Sequence, residues 1–212
     1  MIFNKHLELE GRHAVLGASK HGWLNYDDKQ IVKSYQSSFA QQIGTLIHAY
    51  AKDKILYRQP MEDNRSERNA MVLHLLKNGI PYNVIQTENL FYNLMPYVND
   101  AIGFKMIPEQ PLFYDEYSFG TADAISYGRN ILRIHDLKTG VSPASMEQLM
   151  VYAAWFYLEY KKEVNFQKSR TELRIYKDRE VIVHTPTNHD ISEIMEKVIH
   201  GVMVIDNFLM EV

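Results

Sequence analysis

Gly120-Thr121-Ala122-Asp123 is followed, thirteen positions after its aspartate, by Asp136-Leu137-Lys138-Thr139-Gly140. Between them lie Ala124-Ile125-Ser126-Tyr127, a Gly128-Arg129-Asn130 break, and Ile131-Leu132-Arg133-Ile134-His135. Two β-prone runs joined by a Gly/Asn turn predict a hairpin. Asp123 then falls in the first strand and Asp136 near the end of the second, so folding back brings the two carboxylates together. Lys138 stands two residues after Asp136, and the period of 2 along a strand puts both side chains on one face. Two acids and a lysine at one spot are unfavourable unless a divalent cation sits among them. Carboxylate and carbonyl oxygens suit Mg²⁺ or Mn²⁺.

The rest of the chain reads as helices around further strands. Residues 39–58 form one predicted helix, with Ile43, Leu46, Ile47, Tyr50 and Ala51 on an apolar face and His48 one step off it. A second runs over 65–78 and stops at Asn78-Gly79 before Pro81. A third runs over 87–100, kinked or shortened by Pro96. Its Phe91, Tyr92 and Tyr97 either stack on bases or fill a core, and a helical aromatic stripe is more often core. Residues 104–113 are extended, and Pro108 and Pro111 put that segment at a sheet edge. After the hairpin a helix runs from near Pro143 to about Tyr160, where Gln148 and Tyr152, four apart, share a face. Strands over 171–176 and 181–184 follow, joined by a turn at 177–180. A helix over 191–210 closes the chain behind an Asp190 N-cap with Glu193 at capping-box spacing. The expected architecture is α/β: a mixed central sheet flanked by helices, with a helical N-terminal half.

Composition narrows the classes. The 212 residues suit a single domain (1–212), its helical N-terminal part covering about 1–103 and its sheet and flanking helices about 104–212. Hydrophobic residues at 46% and charged ones at 23% are ordinary for a globular chain. No apolar run nears the ~20 residues of a membrane span, and the first residues lack a secretory pattern, so a cytoplasmic location is expected. The absence of cysteine excludes disulfides and thiol catalysis. A formal charge of −3 argues against a nucleic-acid binder held by a broadly basic surface. It remains compatible with an acidic centre offset by metal and served by a local basic groove.

Four elements in order carry a family resemblance: Gly44-Thr45-Leu46-Ile47-His48, Gly120 to Asp123, Asp136 to Gly140, and Gln148-Leu149-Met150-Val151-Tyr152. Together they resemble the PD-(D/E)xK nucleases, in particular the RecB-like and phage-type exonucleases, over roughly residues 19–152. That resemblance implies a restriction-endonuclease-like core and hydrolysis of DNA phosphodiester bonds in Mg²⁺ or Mn²⁺. It assigns catalysis to Asp123, Asp136, Lys138, Gln148 and Tyr152. Metal contacts fall to Asp123, Asp136, the Leu137 main-chain carbonyl and His48, with Glu109, on the preceding strand, in support. An imidazole ligand favours Mn²⁺ over Mg²⁺. Gln148 and Tyr152 would also touch DNA, as would Lys20. Ser19 would cap a short helix ending near Trp23, and Trp23 itself reads as a core anchor. Aspartate at 136, where many relatives of this type have glutamate, shortens the arm without removing a ligand. With no cysteine, the iron–sulfur cluster of some RecB-like proteins is not expected here. The implied role is a phage-encoded exonuclease in a bacterial host cell. It would process free ends of double- or single-stranded DNA for recombination or repair, alongside a phage single-strand annealing protein. Two other readings stay open: a structure- or sequence-specific endonuclease on the same core, and a nucleic-acid-binding recombination partner without turnover.

Overall fold

The computed structural model describes residues 14–140 and 143–210, together with Lys5 and Leu7. Its regular elements, in order, are α1 (Asp28–Ser38), α2 (Ala40–Leu56), α3 (Arg65–Lys77), α4 (Thr87–Gly103), β1 (Ile107–Asp115), β2 (Ser118–Gly128), β3 (Ile131–Leu137), α5 (Met146–Glu159), β4 (Arg170–Lys177), β5 (Glu180–His184) and α6 (Asn188–Met210). The five strands form one mixed sheet in sequence order, antiparallel throughout except for the parallel pair β3 and β4. Pro108 and Pro111 do lie on an edge strand, β1.

The predicted hairpin is β2 and β3, paired from Gly128 with Ile131 to Ala124 with His135. Arg129 and Asn130 both have positive φ (53° and 58°), as a two-residue primed turn requires. On one face of the sheet α2, α3 and α4 bury Ile47, Met71, Leu75, Phe91 and Leu94 against Ala124, Leu137 and Tyr176. On the other, α5 and α6 pack Leu149, Ala153, Tyr157 and Ile191 against Leu132, Ile134, Leu173 and Ile175. Phe91 and Tyr97 are fully buried, which leaves the aromatic stripe of α4 to the core. No helix among the described residues is long and apolar enough to cross a membrane.

Helix ends follow local chemistry. Helix α3 is capped by Asn64, whose side chain accepts from the Glu67 N–H, and stops before Gly79 at φ +82°. Helix α4 continues through Pro96 to Gly103 rather than ending early. Its seven buried residues, Asn93 and Tyr97 among them, outweigh the ~3 kcal/mol that an internal proline costs. Helix α6 begins three residues before its expected start. Thr187 is the cap: its hydroxyl accepts from the Asp190 N–H (3.2 Å) and Asp190 accepts from the Thr187 N–H (2.8 Å). Asp190 is thus the partner in the capping box and not its cap. Ser19 caps nothing either. It lies inside a 3-10 segment, Ala18–Asn25, preceded by Gly17, and Trp23 is only half-buried, its indole N–H donating to the Gly17 carbonyl.

Two motif glycines mark close approaches. A Cβ at Gly120 would stand 2.8 Å from the Trp155 ring and 3.3 Å from Tyr152, so a side chain there would have to displace the Trp155 ring. A Cβ at Gly44 would meet the Thr139 hydroxyl at 3.1 Å, where α2 crosses the segment after β3.

Candidate active site

The carboxyl end of β3 opens between α2 on one side and α5 on the other. Asp123 and Asp136 lie one step beyond the last paired residues of the hairpin, Ala124 and His135. Asp136 is almost wholly buried, yet its Oδ1 receives the Lys138 ammonium at 3.0 Å. Its Oδ2 is buried with no hydrogen-bond partner among the described residues. Asp123 Oδ2 accepts the Leu137 N–H at 2.9 Å, and its Oδ1 faces His48 Nδ1 at 3.5 Å. Burial pushes the Asp123 carboxyl up to about 6, with Asp136 and Glu109 adding to the rise and His48 and the Leu137 amide opposing it. Asp136 is raised too, again by burial, against the pull of Lys138.

Glu109 reaches the same spot from β1, 3.6 Å from His48 Nδ1. The β1–β2 pairing runs from Pro108 with Ala124 to Gln110 with Ala122, which leaves Glu109 and Asp123 facing each other between these pairs. Glu109 adopts φ +51°, a left-handed conformation uncommon for a side chain of this kind. Across from it the strand loses strict alternation: Ala122 and Ile125 pack toward α5, and Ala124 toward α2 and α4. The strain turns the acid into the cleft. One donor atom each from His48, Glu109 and Asp123 lie within 4.8 Å of one another. These three donors are of a kind that suits a hard divalent cation. Asp136 is not part of that close group, though it lines the same cavity and its Oδ2 has no hydrogen-bond partner among the described residues.

A polar chain leads away from the acids. Lys138 Nζ also donates to Gln148 Oε1 (3.0 Å), and Gln148 Nε2 donates to the Tyr152 hydroxyl oxygen (3.1 Å). The lysine fixes the orientation of the amide, and the amide occupies the phenol oxygen. The Tyr152 proton is therefore free to point outward, and burial holds that phenol protonated, its pKa raised. Gln148 is exposed on α5 rather than tucked into a buried face, and it gains its partners inside the cleft.

His48, Asp123, Asp136, Leu137, Lys138 and Gln148 thus line one cavity of ≈ 270 Å³, completed by Thr139 and Gly140. Glu109 joins from the adjoining hollow of ≈ 490 Å³, which shares His48 and carries Lys52. Tyr152 is reached through Gln148. Lys20 is exposed in the 3-10 segment near the N-terminus and does not line the cleft.

Asn93 was not singled out from sequence. Buried on α4, it donates to the Lys138 carbonyl (3.1 Å) and accepts the Arg179 N–H (2.8 Å), tying the lysine's backbone to the β4–β5 turn. The available signal was an asparagine on the apolar stripe of a helix, a position that demands partners.

Fold and cleft define an α/β protein with three acids, a histidine and a lysine gathered at the end of a central strand. Residues 13–199 match the family described as "Protein of unknown function (DUF2800)", and the chain belongs to that family. No solved structure matches the chain.

Proposed function

We propose that the protein is a metal-dependent DNA exonuclease built on a restriction-endonuclease-like core of the PD-(D/E)xK type. Its proposed role is to process DNA ends for phage-type recombination or repair. The convergence of Asp123, Asp136 and Lys138 in one cleft, with His48 and Glu109 across it, is the observation that supports this reading. The cleft also has acids in excess of nearby cations, an arrangement that stability alone does not favour.

Hydrolysis requires water to attack phosphorus, the bond to the leaving 3′-oxygen to break, and that oxygen to gain a proton. A divalent cation held by Asp123, Asp136, His48, Glu109 and the Leu137 carbonyl would supply charge relief at the phosphate and acidify water. The chain's own residues do the positioning. Lys138 gives two N–H bonds, to Asp136 and Gln148, and has a third to give to a phosphate oxygen or the attacking water. Tyr152, its oxygen occupied by Gln148, offers its proton to a phosphate oxygen. Asn93 holds the Lys138 main chain so that the ammonium stays in register with Asp136.

The test is a pair of variants. Asp123→Ala and Lys138→Ala should each lower metal-dependent cleavage by about 10²-fold or more, with the far-ultraviolet circular dichroism of the folded protein retained. Near wild-type turnover in either variant would remove the assigned site.

A further inference from the structure

Beside the acidic cleft runs a second groove, of ≈ 470 Å³, between α1, the first turn of α4 and the segment after β3. It shares Thr139 and Gly140 with the acidic cleft, so the two lie side by side at that segment. The buried side chains of Ile43, Val84 and Leu90 make its floor. Its walls carry four amides: Gln36 on α1, Asn83 in the 3-10 turn Tyr82–Val84, and Gln86 and Asn89 where α4 begins. None of the four side-chain amides hydrogen-bonds to another described residue, and Gln86, at the N-cap position of α4, does not cap the helix. Lys33 and Asp178 stand at the rim with opposite charge, and Asp178 is already paired with Lys177 at 3.0 Å.

An apolar floor under uncommitted amides suits a flat heteroaromatic ligand with donors and acceptors on its edge. Asn and Gln each present a donor and an acceptor side by side, the pattern that pairs with base edges. The groove's charge balance does not suit a phosphate. Its size admits a splayed-out nucleoside and not a duplex, and it borders the acidic cleft at Thr139 and Gly140.

We propose that this groove binds the unpaired base of a nucleotide flanking the scissile phosphate, so that the enzyme takes its substrate as a single-stranded end. The inference rests on the nuclease reading for its orientation, since the strand is assumed to cross the acidic cleft. Floor contacts hold the ring, the amides satisfy its edge, and the chain leaves the groove past Thr139 and Gly140 with its phosphate among Asp123, Asp136 and Lys138. A base still paired in a duplex cannot enter.

Fluorescence anisotropy tests the groove apart from catalysis. The probes are a labelled, phosphorothioate-linked single strand of about ten nucleotides, within the span of one small domain, and a blunt duplex of the same linkage, both in Mg²⁺. Wild type should bind the single strand more tightly. The double variant Asn83→Ala/Asn89→Ala should lose about tenfold on the single strand, about 1.4 kcal/mol, with less than a twofold change on the duplex. Ala40→Glu, an exposed helical position on the groove, should cause a similar loss by placing a carboxylate beside the strand. Unchanged single-strand binding in both variants, or a wild type that prefers the blunt duplex, overturns the proposal. Cleavage of ordinary DNA in the same preparations separates the two ideas. A wild type that binds with this preference and these losses but never cleaves supports the groove and refutes the nuclease. One that cleaves while the groove variants bind normally refutes the groove alone.

Discussion

In metal-free protein, replacing Asp123 by asparagine should raise stability at neutral pH and raise it much less in mild acid. The Asp123 carboxyl rises from 3.8 to about 6 on folding, chiefly through burial. A raised carboxyl pKa means that the folded state holds its proton more tightly than the unfolded one. The associated stability is fully present below about 4 and is lost as pH climbs through 6. That difference corresponds to about 3 kcal/mol of penalty for the ionised form above pH 7. Asparagine retains an oxygen for the Leu137 N–H and carries no charge, but it gives up the attraction of His48. A net gain of about 1–3 kcal/mol is expected, and at a slope of about 3 kcal/mol per molar urea the midpoint moves up by about 0.3–1 M. Urea unfolding in EDTA at pH 7.5 and at pH 4.5, wild type beside variant, reads it directly. His135, whose burial near Arg174 and Arg133 lowers its pKa to about 3, favours the opposite trend, with stability lost as pH falls below 6.5. It contributes equally to both proteins and cancels in their difference. Adding Mn²⁺ should stabilise wild type more than the variant, since only wild type keeps the full donor set and gains about 2.7 kcal/mol at a hundredfold excess over Kd. A variant that is no more stable than wild type at pH 7.5, or equally stabilised at both pH values, would refute the claim that an uncompensated carboxylate sits at this position.

Two further outcomes follow from the same geometry. Asn93→Ala leaves both the Lys138 carbonyl and the Arg179 N–H without their partner. It should cost about 1–3 kcal/mol of stability and lower turnover more than metal affinity, measured by denaturation and by metal-titrated kinetics. His48→Ala should impair activity more in Mn²⁺ than in Mg²⁺, because imidazole is the softer donor in an otherwise oxygen set; equal losses would take His48 out of the ligand shell.

Much of this arrangement was legible where the signal is local. The turn at Arg129-Asn130, the spacing of Asp123 from Asp136 and the two-residue step to Lys138 bring three side chains together by hairpin geometry alone. The edge prolines and the Asn78-Gly79 stop are equally local. What escaped depends on neighbours remote in sequence. Glu109 was named only through the resemblance, and the left-handed backbone that carries it into the cleft facing Asp123 leaves no mark in a strand pattern. Asn93 meets Lys138 and the Arg179 amide across 45 and 86 residues. Helix α1 was readable but unread: Asp27 and Gln30 make a reciprocal capping box just before it. At α6 two capping-box patterns overlap, from Thr187 to Asp190 and from Asp190 to Glu193. The first prevails because Thr187 offers a hydroxyl as well as an N–H to the Asp190 carboxylate. Pro96 misleads because helix propensity is weak beside the burial of a whole face.

The most direct measurement incubates the purified protein with end-labelled linear DNA, single- and double-stranded, and with closed circular DNA, each in Mg²⁺, Mn²⁺ or EDTA. The account predicts progressive loss of linear DNA from its ends in either metal, faster for the single strand than for the duplex, an intact circle, and no reaction in EDTA. Cutting of the circle would contradict the exonuclease assignment, and intact linear DNA in both metals would contradict catalysis at this cleft altogether.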